Sequence, residues 1–142
     1  MKPPSFDYLA PQTVSEAVQA LAVYQGARLL AGGQSLVPAM NLRLARPDCL
    51  IDINRITGLS QLEVKNGYLC MGARVTHHAV ACSTVVAGVS PVIARTAAGI
   101  AHDAIRRRGT VCGSLAHADP AAQWPLIARL FAAQFDLHSV RG

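Results

Sequence analysis

Residues 27–36 read Ala27-Arg28-Leu29-Leu30-Ala31-Gly32-Gly33-Gln34-Ser35-Leu36. A short apolar run, Ala27 to Ala31, has the look of a buried strand, and Gly32-Gly33 stops it. Glycine directly after a strand permits positive φ and lets backbone N–H groups approach a ligand with no Cβ in the way. Consecutive N–H groups there form an anion-binding nest suited to a pyrophosphate, and Gln34 and Ser35 add side-chain donors. The same residues also suit an ordinary Gly-Gly turn. The spacing is not G-x-G-x-x-G, so the dinucleotide fingerprint does not apply.

Upstream, Thr13-Val14-Ser15-Glu16 is a capping-box pattern that predicts a helix through Ala17, Val18 and Leu21, ending near Gly26. Downstream, Cys49-Leu50-Ile51-Asp52-Ile53 reads as a second buried strand. Leu62 to Lys65 alternates, Asn66-Gly67 is a strong hairpin signal, and Tyr68 to Met71 returns. Thr76 is a candidate cap for a short helix through Cys82. Ser90-Pro91 is an N-cap and N1 pair for a helix to about Ala101. A Gly-containing loop is expected from Arg106 to Asp119, a helix from Pro125 to Ala133, and a strand from Phe135.

This order of elements predicts an α+β fold without long βαβ alternation. The first half, residues 1–56, is a small α/β region, and a hairpin leads residues 57–142. The strand begun at Phe135 meets no later partner in the sequence, which predicts a second region that is incomplete at its C-terminus.

Composition bounds the function. The chain has 142 residues, 51% hydrophobic and 15% charged, which fits a core-rich globular protein. No apolar run is long enough for a membrane span, and Met1-Lys2-Pro3-Pro4 lacks a secretory apolar region, so a cytoplasmic protein is expected. The net charge of +5 is scattered except at Arg106-Arg107-Arg108. No aromatics interleave with the basic residues, which argues against nucleic acid. That Arg run reads first as a solvated face. Cys49, Cys70, Cys82 and Cys112 form no C-x-x-C pair, and no metal site is expected. Cys49 and Cys70 read as small buried hydrophobes. His77-His78 reads as a surface or capping pair, and Trp124 as helix packing.

A second ligand-loop candidate is Arg108-Gly109-Thr110-Val111-Cys112-Gly113-Ser114-Leu115-Ala116-His117-Ala118-Asp119-Pro120. Thr110 and Ser114 offer hydroxyls, and Asp119 offers an acceptor for a ribose or a ring N–H. Two such loops together suit a divided phosphate-and-ring site.

With both loops in hand, the chain resembles the FAD-binding medium subunit of the molybdenum hydroxylases, the xanthine dehydrogenase and carbon monoxide dehydrogenase family. The resemblance rests on Leu-Ala-Gly-Gly-Gln-Ser-Leu at 30–36, Arg43-Leu44-Ala45-Arg46-Pro47, Ile51-Asp52-Ile53 and Gly72-Ala73-x-x-Thr76. It rests equally on Ile105 to Ser114 and on Ala118-Asp119-Pro120-Ala121-Ala122. It covers essentially the whole chain, in order, and implies a C-terminally truncated form.

The resemblance implies a two-subdomain FAD-binding fold of the PCMH, or vanillyl-alcohol-oxidase, type. The first subdomain would be residues 1–56, and the second 57–142, incomplete. It places Leu29, Leu30, Ala31, Gly32, Gly33, Gln34, Ser35 and Leu36 around the FAD pyrophosphate. It places Ile100, Thr110, Gly113, Ser114, Asp119 and Gln123 at or near the cofactor. The implied function is electron transfer from iron–sulfur clusters of a partner subunit to an external acceptor. A molybdopterin-binding large subunit oxidises the substrate. No catalytic acid, base or nucleophile is implied, because the flavin carries the redox chemistry.

The chain departs from the family pattern at Arg107 (usually Asn), Cys112 (usually the first Gly of a pair) and Gln123 (usually Asp). If position 112 needs positive φ, Cys112 is strained by roughly 1–3 kcal/mol. Two other readings are a truncated scaffold that docks partners without flavin, and a stand-alone flavin oxidoreductase related to the enolpyruvyl-glucosamine reductases.

Overall fold

The first strand, β1 (Asp7–Leu9), is followed by helix α1 (Val14–Val23), strand β2 (Arg28–Leu30), helix α2 (Leu36–Asn41) and strand β3 (Cys49–Asp52). These come from a computed structural model that describes residues 1–141. The three strands form one parallel sheet in the order β1-β3-β2, so β3 lies in the centre. Its residues explain the position. Cys49, Leu50 and Ile51 are all buried, as a strand flanked on both edges must be. Met40, Ala17, Ala27, Ile53 and Ile56 are the other buried apolar residues of this unit.

The capping box at Thr13 is formed, with one change. The Thr13 hydroxyl accepts from Glu16 N at 3.1 Å, but the Glu16 carboxylate reaches back to Gln12 N rather than to the cap itself. Strand β1 escaped the sequence reading because three residues with Tyr8 exposed give no apolar run. Helix α2 escaped it because Pro38 masks a helical pattern, although a first-turn proline loses no helical bond.

After a 3-10 turn (Ile53–Arg55) come the antiparallel strands β4 (Leu62–Lys65) and β5 (Tyr68–Met71). Lys65 pairs with Tyr68, and Asn66 and Gly67 both have positive φ, the conformation that the Asn-Gly signal predicts. Cys70 is exposed, not buried as expected, because alternation along β5 turns Leu69 and Met71 inward instead.

Among the described residues six short helices follow: α3 (His77–Cys82), α4 (Thr84–Val89), α5 (Pro91–Ala98), α6 (Asp103–Arg106), α7 (Val111–His117) and α8 (Gln123–Leu130). Val75, Val80, Val86, Ile93, Ala97, Val111, Trp124 and Ile127 are among the residues that make their common core. Helix α8 starts two residues before Pro125, again because proline is tolerated anywhere in a first turn. Helix α5 stops at Ala98 rather than near Ala101, where φ turns positive. The strand expected from Phe135 is not formed. Residues 133–139 carry no regular structure, and among the described residues no strand offers them a ladder.

The chain divides into two compact units. One is Met1–Thr57 together with the residues from Phe135 onward, and the other is Gly58–Gln134. The mixed α and β content agrees with the expected class.

Ile51, wholly buried in the central strand, tests the first unit's core. Ile51→Ala should lower stability by about 2–5 kcal/mol, read as a reduced urea midpoint.

Candidate cofactor-binding site

The first predicted loop lies wholly in the first unit. Leu29 and Leu30 end β2, Ala31 to Ser35 form the turn, and Leu36 opens α2. Gly33 has φ +70°, and a Cβ there would come within 3.1 Å of both Leu30 Cδ1 and Val37 Cγ2. The Gly33 carbonyl accepts from Val37 N, and the Ser35 carbonyl from Ala39 N. Among the described residues, the N–H groups from Gly32 to Leu36 meet no protein acceptor. A row of such donors on a glycine turn is the chemistry of an anion cradle. The side chains contribute less than expected. Gln34 turns back to donate from Nε2 to the Gly32 carbonyl at 2.9 Å, and Ser35 makes no capping bond.

A polar cluster stands behind this turn. Asp52 accepts from the Tyr8 hydroxyl, from Asn54 N at 2.8 Å and from Asn54 Nδ2 at 2.6 Å. Asn54 Nδ2 also donates to the Ala31 carbonyl at 2.9 Å. Burial alone would raise the Asp52 carboxyl, but the Tyr8 hydroxyl, both Asn54 donors and the Arg55 charge outweigh it and hold it below the ordinary range.

The second predicted loop lies in the second unit and is largely not a loop. Residues 111–117 are helix α7, and Thr110 is its N-cap, accepting from Gly113 N at 3.1 Å. Thr110 is buried, so its hydroxyl serves the helix start. The Gly and Ser residues that suggested a loop occupy a first helical turn, which a capped helix tolerates. Cys112 sits inside α7 and is not among the positive-φ residues, so the strain considered for it does not arise. Burial pushes its thiol up.

Ser114 lies on α7, its N–H bonded to the Thr110 carbonyl. Asp119 follows the helix end, where Ala118 adopts the left-handed conformation. Its Oδ1 accepts from Ala121 N at 2.9 Å in a local turn. Gln123 is exposed at the first position of α8. Ile100 packs against the second core, and its carbonyl accepts from Arg106 Nη1 at 2.9 Å.

Arg106 therefore has a structural task, since it also holds the Ala101 carbonyl at 2.8 Å. Arg107 pairs with Asp103 at 2.6 Å and, with His78 and Arg106 nearby, draws that carboxyl below its usual range. Among the described residues, no group of three His, Cys, Asp or Glu side chains gathers as a metal site. Among them too, no helix is long and apolar enough to cross a membrane.

The sequence reading missed His77. It is 5% exposed, and Trp124 Nε1 donates to its Nδ1 at 3.0 Å, with the rings stacked 5.9 Å apart and tilted by 19°. His77 N donates to the Gly109 carbonyl at 3.0 Å, and Thr76 bridges Thr110. A Cβ on Gly109 would come within 2.9 Å of the His77 ring. This packing fixes the residue that precedes the Thr110 cap. The spacing of His77 and Val80 on one face of α3 was the available signal.

Residues 4–142 match the family described as the FAD binding domain in molybdopterin dehydrogenase. The chain belongs to that family. It is 42% identical over its full length to the 6-hydroxypseudooxynicotine dehydrogenase complex subunit alpha of Paenarthrobacter nicotinovorans. It is 39% identical over its full length to the carbon monoxide dehydrogenase medium chain of Hydrogenophaga pseudoflava. It covers 48% and 50% of those two proteins, so the chain spans about half the length of the curated relatives it matches. Among solved structures, quinoline 2-oxidoreductase from Pseudomonas putida 86 matches 89% of this chain and 45% of its own, with a TM-score of 0.86 and 42% identity. The Cu,Mo-CO dehydrogenase matches 91% of this chain and 46% of its own, with a TM-score of 0.88 and 38% identity.

Burial holds the His77 imidazole below the usual histidine range, so the unfolded chain takes up a proton there before the folded one does. Its contribution to stability is complete above pH 6.5, the ordinary value, and is lost as pH falls through the lower folded value. Urea midpoints should drop between pH 7.5 and 5, and His77→Asn should flatten that drop. An equal drop in the variant would remove His77 as its source. Gly109→Ala should cost about 1–3 kcal/mol through overpacking against the same ring.

Proposed function

We propose that this chain binds FAD and forms the flavin-holding part of a molybdopterin-dependent dehydrogenase. The observation that carries the reading is the Gly32–Leu36 turn. Among the described residues its amides meet no protein acceptor, and Gly33 has a positive φ with Leu30 and Val37 side-chain carbons 3.1 Å from where a Cβ would sit. Those features fit a pyrophosphate, and the turn falls within the family match. Residues 29–36 would hold the phosphates through backbone donors. Ile100, Ser114, Asp119 and Gln123 would serve the cofactor, with Thr110 and Gly113, bonded to each other at the α7 cap, shaping the helix start beside it. For Asp119 the open atom is Oδ2, since Oδ1 is committed to Ala121 N.

On this reading residues 1–56 are the first subdomain and residues 57–142 part of the second subdomain of a PCMH-type fold. FAD supplies the redox chemistry when bound, and the residues of this chain bind and orient it. The parent complex would bring electrons from a molybdopterin-binding large subunit through an iron–sulfur subunit to the flavin, and from there to an external acceptor. Relatives named as medium chains or complex subunits support partners of this kind.

The test is direct. The purified chain, saturated with FAD and passed through a desalting column, should keep a flavin absorbance band near stoichiometry. Gly33→Val should weaken FAD by about tenfold or more, since it adds strain at positive φ and fills the turn. A wild-type chain that emerges colourless overturns the reading and favours a partner-docking scaffold.

A further inference from the structure

The Ile51-Asp52-Ile53 motif spans the end of the central strand β3 and the start of the 3-10 turn, and between its two buried isoleucines stands a carboxylate that packing alone does not call for. The hydrogen bonds give Asp52 a use. Its Oδ1 accepts both the backbone N–H and the Nδ2 of Asn54, while Oδ2 accepts the Tyr8 hydroxyl from the neighbouring strand. The Asn54 amide is thereby oriented, and its Nδ2 also donates to the Ala31 carbonyl, 23 residues away in sequence. Ala31 is the residue directly before Gly32-Gly33. Its carbonyl direction fixes the peptide plane that carries the Gly32 N–H, the first donor of the turn.

We infer that Asn54 is a positioning residue for the glycine turn, holding Ala31, and with it the first backbone donor, in the binding conformation, with Asp52 and Tyr8 as its supports. The inference rests on the FAD reading for what the turn binds, but not for the ordering of the turn. Glycine makes the turn possible and also makes it loose. A side-chain bond to the residue before it supplies the order that the turn's own amides, lacking acceptors, cannot. Asn54 is exposed, so removing it takes nothing from the buried core of its unit.

Two measurements on the 142-residue chain test this. Nuclear magnetic resonance order parameters of Gly32 and Gly33 should fall from about 0.85 to below about 0.6 in Asn54→Ala. FAD, titrated by flavin fluorescence, should bind about five- to tenfold more weakly. Asn54→Asp keeps the shape but cannot donate and sets a charge against Asp52, so it should be at least as impaired. Tyr8→Phe, one bond further back, should show a smaller loss. The thermal midpoint should hardly move in Asn54→Ala, as for other exposed sites. A lowered midpoint with unchanged order parameters and FAD affinity would mark Asn54 as merely structural and overturn the inference. If the wild-type chain binds no FAD, the functional reading fails, while the order parameters still decide the role of Asn54.

Discussion

Strand β3 is the constraint on which the first unit depends. Because β1 and β2 both pair with it in parallel, Cys49, Leu50 and Ile51 have no exposed edge and are buried. A parallel pair forces every connection to cross from one end of the sheet to the other. The ends of β2 and β3 therefore come out on the same side, with Leu30 in register with Asp52. That register is why Asp52 and Asn54 can reach the turn after Leu30. The glycine turn is thus built at the carboxyl end of a strand, the usual place for ligands in parallel sheets.

The second unit reaches a comparable result with other means. Short helices need caps, because a few residues cannot sustain themselves. Thr76, Ser83 and Thr110 each accept a backbone N–H at the start of their helix. The buried His77–Trp124 pair then couples α3 to α8, and the approach of Gly109 beneath the His77 ring sets the chain entering α7. Gly109 is thus required for packing rather than for a ligand loop. The family motif around residues 105–114 consequently contains residues of two kinds. Arg106, Gly109 and Thr110 build the backbone, whereas Ser114 offers a hydroxyl on its surface.

Much of this was legible in the residues. The Asn66-Gly67 hairpin, the Thr13 cap, the Ser90-Pro91 helix start and the buried run at 49–51 are local signals, and each is decided within a few neighbours. The glycine turn at 32–33 was also legible as a turn, and its family context pointed to FAD. The misreadings share one cause. The loop expected from Arg106 to Asp119 is largely helix α7, because Gly and Ser weigh against helix locally, and no local signal announces that the cap at Thr110 and packing at Val111 outweigh them. The apolar neighbours of Cys70 point it inward, while the strand's alternation in the folded hairpin turns it out.

The sequence by itself determined the family, the buried strand at 49–51 and the glycine turn after Ala31, since these rest on residue order and short-range pattern. Only the tertiary structure decided what Asp52, Asn54 and His77 do. Their partners, Tyr8, Ala31 and Trp124, lie 44, 23 and 47 residues away. A hydrogen bond across such a separation depends on strand register and helix packing, which no local pattern specifies.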